Sequence, residues 1–236
     1  MRAPRLRLVL GLLLAAGAAR GQGRVAPPLP DTTASRYGTT GALVVVLTEY
    51  GFGAGGSVRA RLTDDVSAVA ELSVGAGRDE REQSFIGFFG ERETPFKRNY
   101  VALVPLHVGV ERRLFRRSVE DNFRPFAHAS AGPTLALQWP YFDDVDGDGR
   151  LDADEETLGP LGGVGAGRAR VGVGGVVAVG AFFGRGRRTT QAVRFGIQST
   201  YFPVEIDLLE LRPDVEDPSR HTFWTPVVSF HVARLL

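Results

Sequence analysis

Residues 41–236 predict an all-β fold, an eight-stranded antiparallel up-and-down transmembrane β-barrel with long extracellular loops. Three observations predict it. Apolar and polar residues alternate with period two over most of the span, and no helical stripe interrupts them. Several alternating runs reach ten residues or more, where roughly 5–6 is usual for a globular sheet and about 9–11 crosses a bilayer. Aromatic residues gather at the run ends. Tyr50, Phe52, Tyr100, Trp139, Tyr141, Phe142, Tyr201, Phe202, Phe223 and Trp224 fall near one rim, and Phe115, Phe123, Phe182 and Phe183 near the other. Two such girdles match the two lipid–water interfaces.

In chain order, MRAPRLRLVLGLLLAAGAARG (1–21) opens with Arg2, Arg5 and Arg7, continues with an apolar run from Leu8 to Ala19, and ends in small residues. This is the pattern of a secretory signal peptide, cut after Ala18 or Gly21. A run of about 12 residues is too short for a membrane helix, which needs roughly 20. Cleavage takes four arginines from the 28 basic residues and none of the 27 acidic ones, so the mature net charge is −3. That balance gives no basis for nucleic-acid binding. The absence of cysteine excludes a disulfide framework and a lipid-attachment cysteine. Residues 22–40 are Pro-rich and polar, a flexible periplasmic N-terminal arm.

The barrel runs fall near 41–50, 55–63, 67–77, 99–113, 123–139, 174–184, 189–203 and 222–234. In 123–139 one face carries Phe126, His128, Ser130, Gly132, Thr134, Ala136 and Gln138; the other is wholly apolar. In 99–113, Val104, Leu106, Val108 and Val110 oppose His107, Gly109, Glu111 and Arg113. Elsewhere Arg59 and Arg61 oppose Val58 and Leu62, Glu71 and Ser73 oppose Leu72 and Val74, and Arg194 and Gln198 oppose Phe195 and Ile197. The apolar rows are expected to face hydrocarbon and the polar rows the lumen. Connections after the second, fourth and sixth runs (TDD, FRRSVEDN, RGRR) are short, and those after the third, fifth and seventh (78–98, 140–173, 204–221) are long. Short periplasmic turns and longer outer loops follow the outer-membrane rule. GPLGGVGAGRARVG (159–172) leaves ten strands open, with EIDLLEL as a further partner.

Signal peptide, alternation, and the glycine-and-aromatic segments LTEYGFGAGG, RPFAHASAGPTLAL and GGVVAVGAFFG together resemble the small outer-membrane β-barrel proteins of Gram-negative envelopes, the OmpA/OmpX-like barrel superfamily, over about residues 37–236. The resemblance implies outer-membrane localisation, contact with outer-membrane lipid, delivery by the barrel-assembly machinery, and structural or adhesive work through the outer loops on an unidentified extracellular ligand. The chain departs from the group at its end: FHVARLL places Phe230 seven residues in, where such barrels close on an aromatic.

DVDGDGRLDADE (144–155) fits a twelve-residue EF-hand-type calcium loop. Asp144, Asp146, Asp148, Asp152 and Glu155 occupy positions 1, 3, 5, 9 and 12, Gly149 the turn at 6, and Arg150 the position that offers its backbone carbonyl. Segment 143–156 holds eight carboxylates against one arginine, so it repels itself without a cation. No amphipathic helix precedes it and no second loop pairs with it. The expectation is a Ca²⁺ staple on the outer loop 140–173, with the 10⁻⁴–10⁻³ M affinity typical of extracellular modules.

Two alternatives remain. His107, Ser130 and Glu71 are the ingredients of acyl transfer by a lipid-processing hydrolase, if the sheet sets Ser130 opposite His107. A barrel lipid-A deacylase carries a similar His-x-Ser strand, but Phe142 stands where that family's acid belongs. The competing account is a polar interior network of Arg59, Arg61, Glu71, Glu111, Arg194 and the histidines. The second alternative is a soluble secreted calcium-binding β-sandwich, which alternates in the same way with its apolar face inward. The arginine runs Arg112–Arg113, Arg116–Arg117 and Arg185, Arg187, Arg188 fall at periplasmic turns and face lipid phosphate or water.

Overall fold

The computed structural model describes residues 39–79, 81–82, 84–86, 92–116, 118–119, 122–152, 154–184, 189–210 and 218–236. The expected signal peptide (1–21) and nearly all of the arm (22–40) lie outside these residues. Among the described residues ten strands form, β1 (Thr40–Thr48), β2 (Gly51–Arg61), β3 (Val66–Gly77), β4 (Phe85–Ile86), β5 (Arg92–Glu93), β6 (Asn99–Arg113), β7 (Phe123–Pro140), β8 (Arg168–Phe183), β9 (Thr189–Asp207) and β10 (Ser219–Leu235). Eight close into one antiparallel ring in the order β1-β10-β9-β8-β7-β6-β3-β2, and β4 with β5 makes a separate small hairpin. The ring closes between first and last strands, with Thr40 opposite Leu235 and Thr48 opposite Val227. One closed sheet excludes the sandwich.

All eight runs read from the sequence fall on ring strands. The ambiguous 159–172 resolves into a 3-10 turn (Val164–Ala166) followed by the start of β8 at Arg168. EIDLLEL extends β9 to Asp207 and then bridges Lys97 through Leu209, so no ninth or tenth ring strand arises. The outer insert is therefore 141–167, shorter than expected. The β4/β5 hairpin inside 78–98 had no alternation long enough to reveal it.

The pleat sorts the side chains as the alternation requires. Leu43 is 75% exposed and its neighbour Val44 1%. Leu43, Val58, Leu72, Val108, Val177, Ile197 and Val232 all point outward, from seven different strands. Inside, close approach of strand backbones demands glycine: a Cβ on Gly55 would lie 2.1 Å from the Leu72 carbonyl oxygen.

The lumen is not uniformly polar. Its loop-end half is an apolar plug in which Phe202 and Phe223 meet edge to face, with Val101, Leu103, Ile206 and Leu208 around them. A second apolar patch joins Val44, Val46, Val176, Ala178 and Val227. Polar groups fill the middle and the turn-end half.

The aromatic girdles are thinner than expected. Phe52, Tyr201 and Trp224 face out at the loop end, and Phe115, Phe123 and Phe183 are exposed at the other. Tyr50, Tyr141, Phe142, Phe202 and Phe223 are buried, and Phe182 turns inward beneath the Arg59 guanidinium. Period two permits only one residue of a pair such as Tyr201–Phe202 to face outward.

Candidate functional site

The connections 78–98, 141–167 and 208–218 meet at one end of the barrel and interlock. The Arg98 N–H donates to the Leu208 carbonyl at 2.9 Å, the Tyr141 N–H to the Arg98 carbonyl at 3.0 Å, and the Glu210 N–H to the Phe96 carbonyl at 2.8 Å. The Tyr141 hydroxyl accepts from the Thr94 N–H, and the Tyr100 hydroxyl donates to the Leu158 carbonyl. These loops form a lid rather than separate arms.

The acidic loop sits on this lid. A bridge between Phe142 and Thr157 closes its base, and the Asp143 N–H donates to the Glu156 carbonyl at 3.0 Å. Asp144, Asp146 and Asp148 are exposed, and one oxygen of each lies within 4.8 Å of the others. Oxygens bound at 2.3–2.6 Å on opposite sides of one Ca²⁺ are at most about 5 Å apart, so this spacing fits a shared hard cation. An Asp144 oxygen accepts from the Gly149 N–H at 3.1 Å, and Glu155 folds back to accept from the Val145 N–H at 2.8 Å and the Asp152 N–H at 3.2 Å. The Arg150 N–H donates to Asp148 at 2.7 Å. Position 1 thus reaches the turn at position 6 and position 12 reaches back to the start of the loop, while Asp152 and Glu155 stand outside the three-carboxylate cluster. The Asp152 carboxyl is pushed up, first by partial desolvation and then by Asp148, Asp146, Glu155 and Asp154. Gly149 has φ +75°, and a Cβ there would press on the Arg98 guanidinium at 2.9 Å. The left-handed backbone favours glycine at position 6, whereas the Arg98 guanidinium, at the end of a flexible side chain, could give way.

Residues outside the motif hold the loop down. The Glu210 side chain, 1% exposed, accepts from the Leu151 N–H at 3.1 Å. Beside it lies a dense ion network that the sequence did not reveal. Asp79 accepts from Arg81 at 2.8 Å and Arg220 at 2.9 Å, and Glu82 takes Lys97 Nζ at 2.7 Å. Burial works to raise the Asp79 carboxyl, but the hydrogen bonds from Arg81 and Arg220 outweigh it and hold the group at about 2. Asp79 and Arg81 are two residues apart, but Arg220 is 141 residues from Asp79, a distance that no local pattern spans.

The acyl-transfer set of the alternative reading does not assemble. Register puts Ser130 opposite Gly109, not His107. Ser130 instead meets His128 at 3.0 Å, and His128 meets Arg194 at 3.2 Å. Arg194 also donates to Glu71 at 2.7 Å and to Ser229 at 2.9 Å, and Ser229 meets His231 at 2.9 Å. A guanidinium thus stands between imidazole and carboxylate, where a triad needs direct contact. Glu71 does lie opposite His107 in register. The interior network is present, with Arg59 on Glu111 at 3.1 Å. Arg61 pairs with Asp64 in the adjoining turn.

No family model matches the chain, and no curated protein matches it. Among solved structures, the chain is similar to the N-terminal β-barrel domain of Pseudomonas aeruginosa OprF (12% identity, covering 83% of this chain and 96% of that one, TM-score 0.35). It is also similar to Neisserial surface protein A, NspA (9%, 84% and 94%, TM-score 0.39), and to Acinetobacter baumannii CarO2 (10%, 84% and 98%, TM-score 0.30).

Proposed function

We propose that this chain is a non-enzymatic outer-membrane β-barrel, exported by its signal peptide, whose work is structural or loop-mediated binding and whose outer loop is ordered by Ca²⁺. The observation that carries the membrane placement is the apolar outer face, continuous around a closed ring. Monomeric soluble proteins rarely expose contiguous apolar patches beyond a few hundred Å². Among the described residues no helix is long and apolar enough to cross a membrane, but the ring strands run from 9 to 19 residues and reach the length that crossing requires. The lumen is filled by the plug and the Arg194 network, which suits an eight-stranded barrel and not a general pore.

Calcium is supported by the donor set and its spacing. Asp144, Asp146, Asp148, Asp152 and Glu155 supply carboxylate oxygens and Arg150 a backbone carbonyl. Ca²⁺ would neutralise a loop that has no matching cations of its own in its sequence. Its partners would be membrane lipid, the barrel-assembly machinery and an extracellular ligand met by the lid.

Gel migration with and without boiling, in Ca²⁺ and in chelator, tests this proposal. The unboiled band should migrate differently in both conditions, while chelator should expose segment 143–156 to protease. Recovery of the folded protein in the soluble fraction without detergent would refute the membrane placement. Equal protease sensitivity with and without Ca²⁺ would refute the staple. Ser130→Ala is expected to leave function unchanged, and loss of a lipid-hydrolase turnover on that change would favour the enzyme instead.

A further inference from the structure

The end of the barrel opposite the lid holds a second feature. Connection 62–65 and the ends of β2, β6 and β7 enclose a cavity of about 110 Å³ at the mouth of the lumen. Five arginines line it, Arg59, Arg61, Arg113, Arg116 and Arg124, against three carboxylates, Asp64, Asp65 and Glu111. The lining therefore carries two more positive than negative charges.

The arginines are positioned rather than splayed into solvent. Arg59 is held by Glu111 at 3.1 Å and lies 4.3 Å over the Phe182 ring. Arg124, 5% exposed, lies 5.7 Å from the same ring and donates to the Gly184 carbonyl at 3.4 Å. Arg61 and Arg116 share Asp64, and Arg116 also reaches Asp65 at 3.5 Å. Arg116 first, then Arg61, hold the Asp64 carboxyl below its ordinary range. Three carboxylates offset three of the five guanidinium groups, and the surplus of two positive charges at an aromatic-walled pocket favours an entering anion. The space equals roughly three to four water volumes, enough for one small tetrahedral anion. Guanidinium forks match phosphate oxygens two at a time.

We infer that this turn-end vestibule binds a phosphate-type oxyanion, presented either as a free ion or by a lipid headgroup. The site is independent of the calcium loop, which lies at the other end of the barrel.

The test uses the full chain folded in a nonionic, phosphate-free detergent at low ionic strength, titrated calorimetrically with inorganic phosphate. Wild type should bind and should lose affinity as salt rises. Arg113→Gln and Arg116→Gln should each weaken binding about tenfold, the loss of one charge-assisted hydrogen bond. Asp64→Asn with Asp65→Asn, on the exposed turn, should tighten it severalfold, and this opposite shift reads out even if an arginine variant fails to fold. Repetition in a phosphatidylglycerol bilayer separates the sources. If phosphate binding is lost there, the headgroup fills the site; if it is retained, the site takes the free ion. Absence of phosphate binding by wild type, or equal affinity across all these variants, overturns the assignment.

Discussion

Two acidic regions share the lid and solve the same electrostatic problem in opposite ways. Asp79 and Glu82 are buried, and each carboxylate meets protein cations: Arg81 and Arg220 for the first, Lys97 for the second. The loop 143–156 is largely exposed, brings eight carboxylates with one arginine, and turns its side chains to its own backbone N–H groups. Burial forces pairing, because an uncompensated buried charge is costly. Exposure permits surplus charge, because water screens it until a cation arrives. The first region is a fixed part of the barrel's stability, and the second leaves its charge open to solvent, where we propose that Ca²⁺ meets it.

The largest expected effect breaks the first region. Asp79→Asn leaves Arg81 and Arg220 facing a neutral amide and should cost about 2 kcal/mol at neutral pH, as implied by a carboxyl held at about 2 against an ordinary 3.8. The folded-state value is depressed, so this stabilisation is present above the unfolded value and is lost as pH falls from about 4 through about 2. Denaturant unfolding in detergent between pH 7 and pH 2 should show the two proteins converging toward the acid end. A constant difference across that range would show that packing, not charge, holds Asp79.

A smaller effect tests whether the second region is a receptor at all. Glu155→Gln removes the one carboxylate that reaches across to the start of the loop through the Val145 N–H. Ca²⁺ affinity, measured calorimetrically on the folded protein, should fall at least tenfold, about 1.4 kcal/mol, while unfolding in chelator stays near wild type. Destabilisation in chelator equal to that of Asp79→Asn would erase the contrast between the two regions.

What the sequence disclosed follows the range of each interaction. Strand positions were legible because the pleat imposes period two residue by residue, and Leu43 and Val44 obey it without reference to any partner. The clustering of Asp144, Asp146 and Asp148 was legible because the three lie within five consecutive positions. The girdle was over-read: Tyr201–Phe202 and Phe223–Trp224 were each counted as two interfacial aromatics, although parity sends Phe202 and Phe223 into the plug. Arg61 has the parity of Arg59, but its neighbour Asp64 takes it at the turn. The lid was illegible because its bonds join loops far apart in the chain, as Arg220 to Asp79 and Leu208 to Arg98.

The smallest effect asks whether the two regions are coupled. Glu210 lies between them: its backbone N–H donates to Phe96, one residue before the Lys97 that pairs with Glu82, and its side chain accepts from Leu151 inside the acidic loop. Glu210→Gln keeps the shape and one acceptor oxygen but replaces a charge-assisted bond by a neutral one, roughly halving its strength. The loop should then be slightly less organised before the cation binds, and Ca²⁺ affinity should fall about threefold, with global unfolding in chelator unchanged. No change in Ca²⁺ affinity would make the acidic loop an independent module resting on the lid, whereas a loss as large as that of Glu155→Gln would mean that the lid itself shapes the donor set.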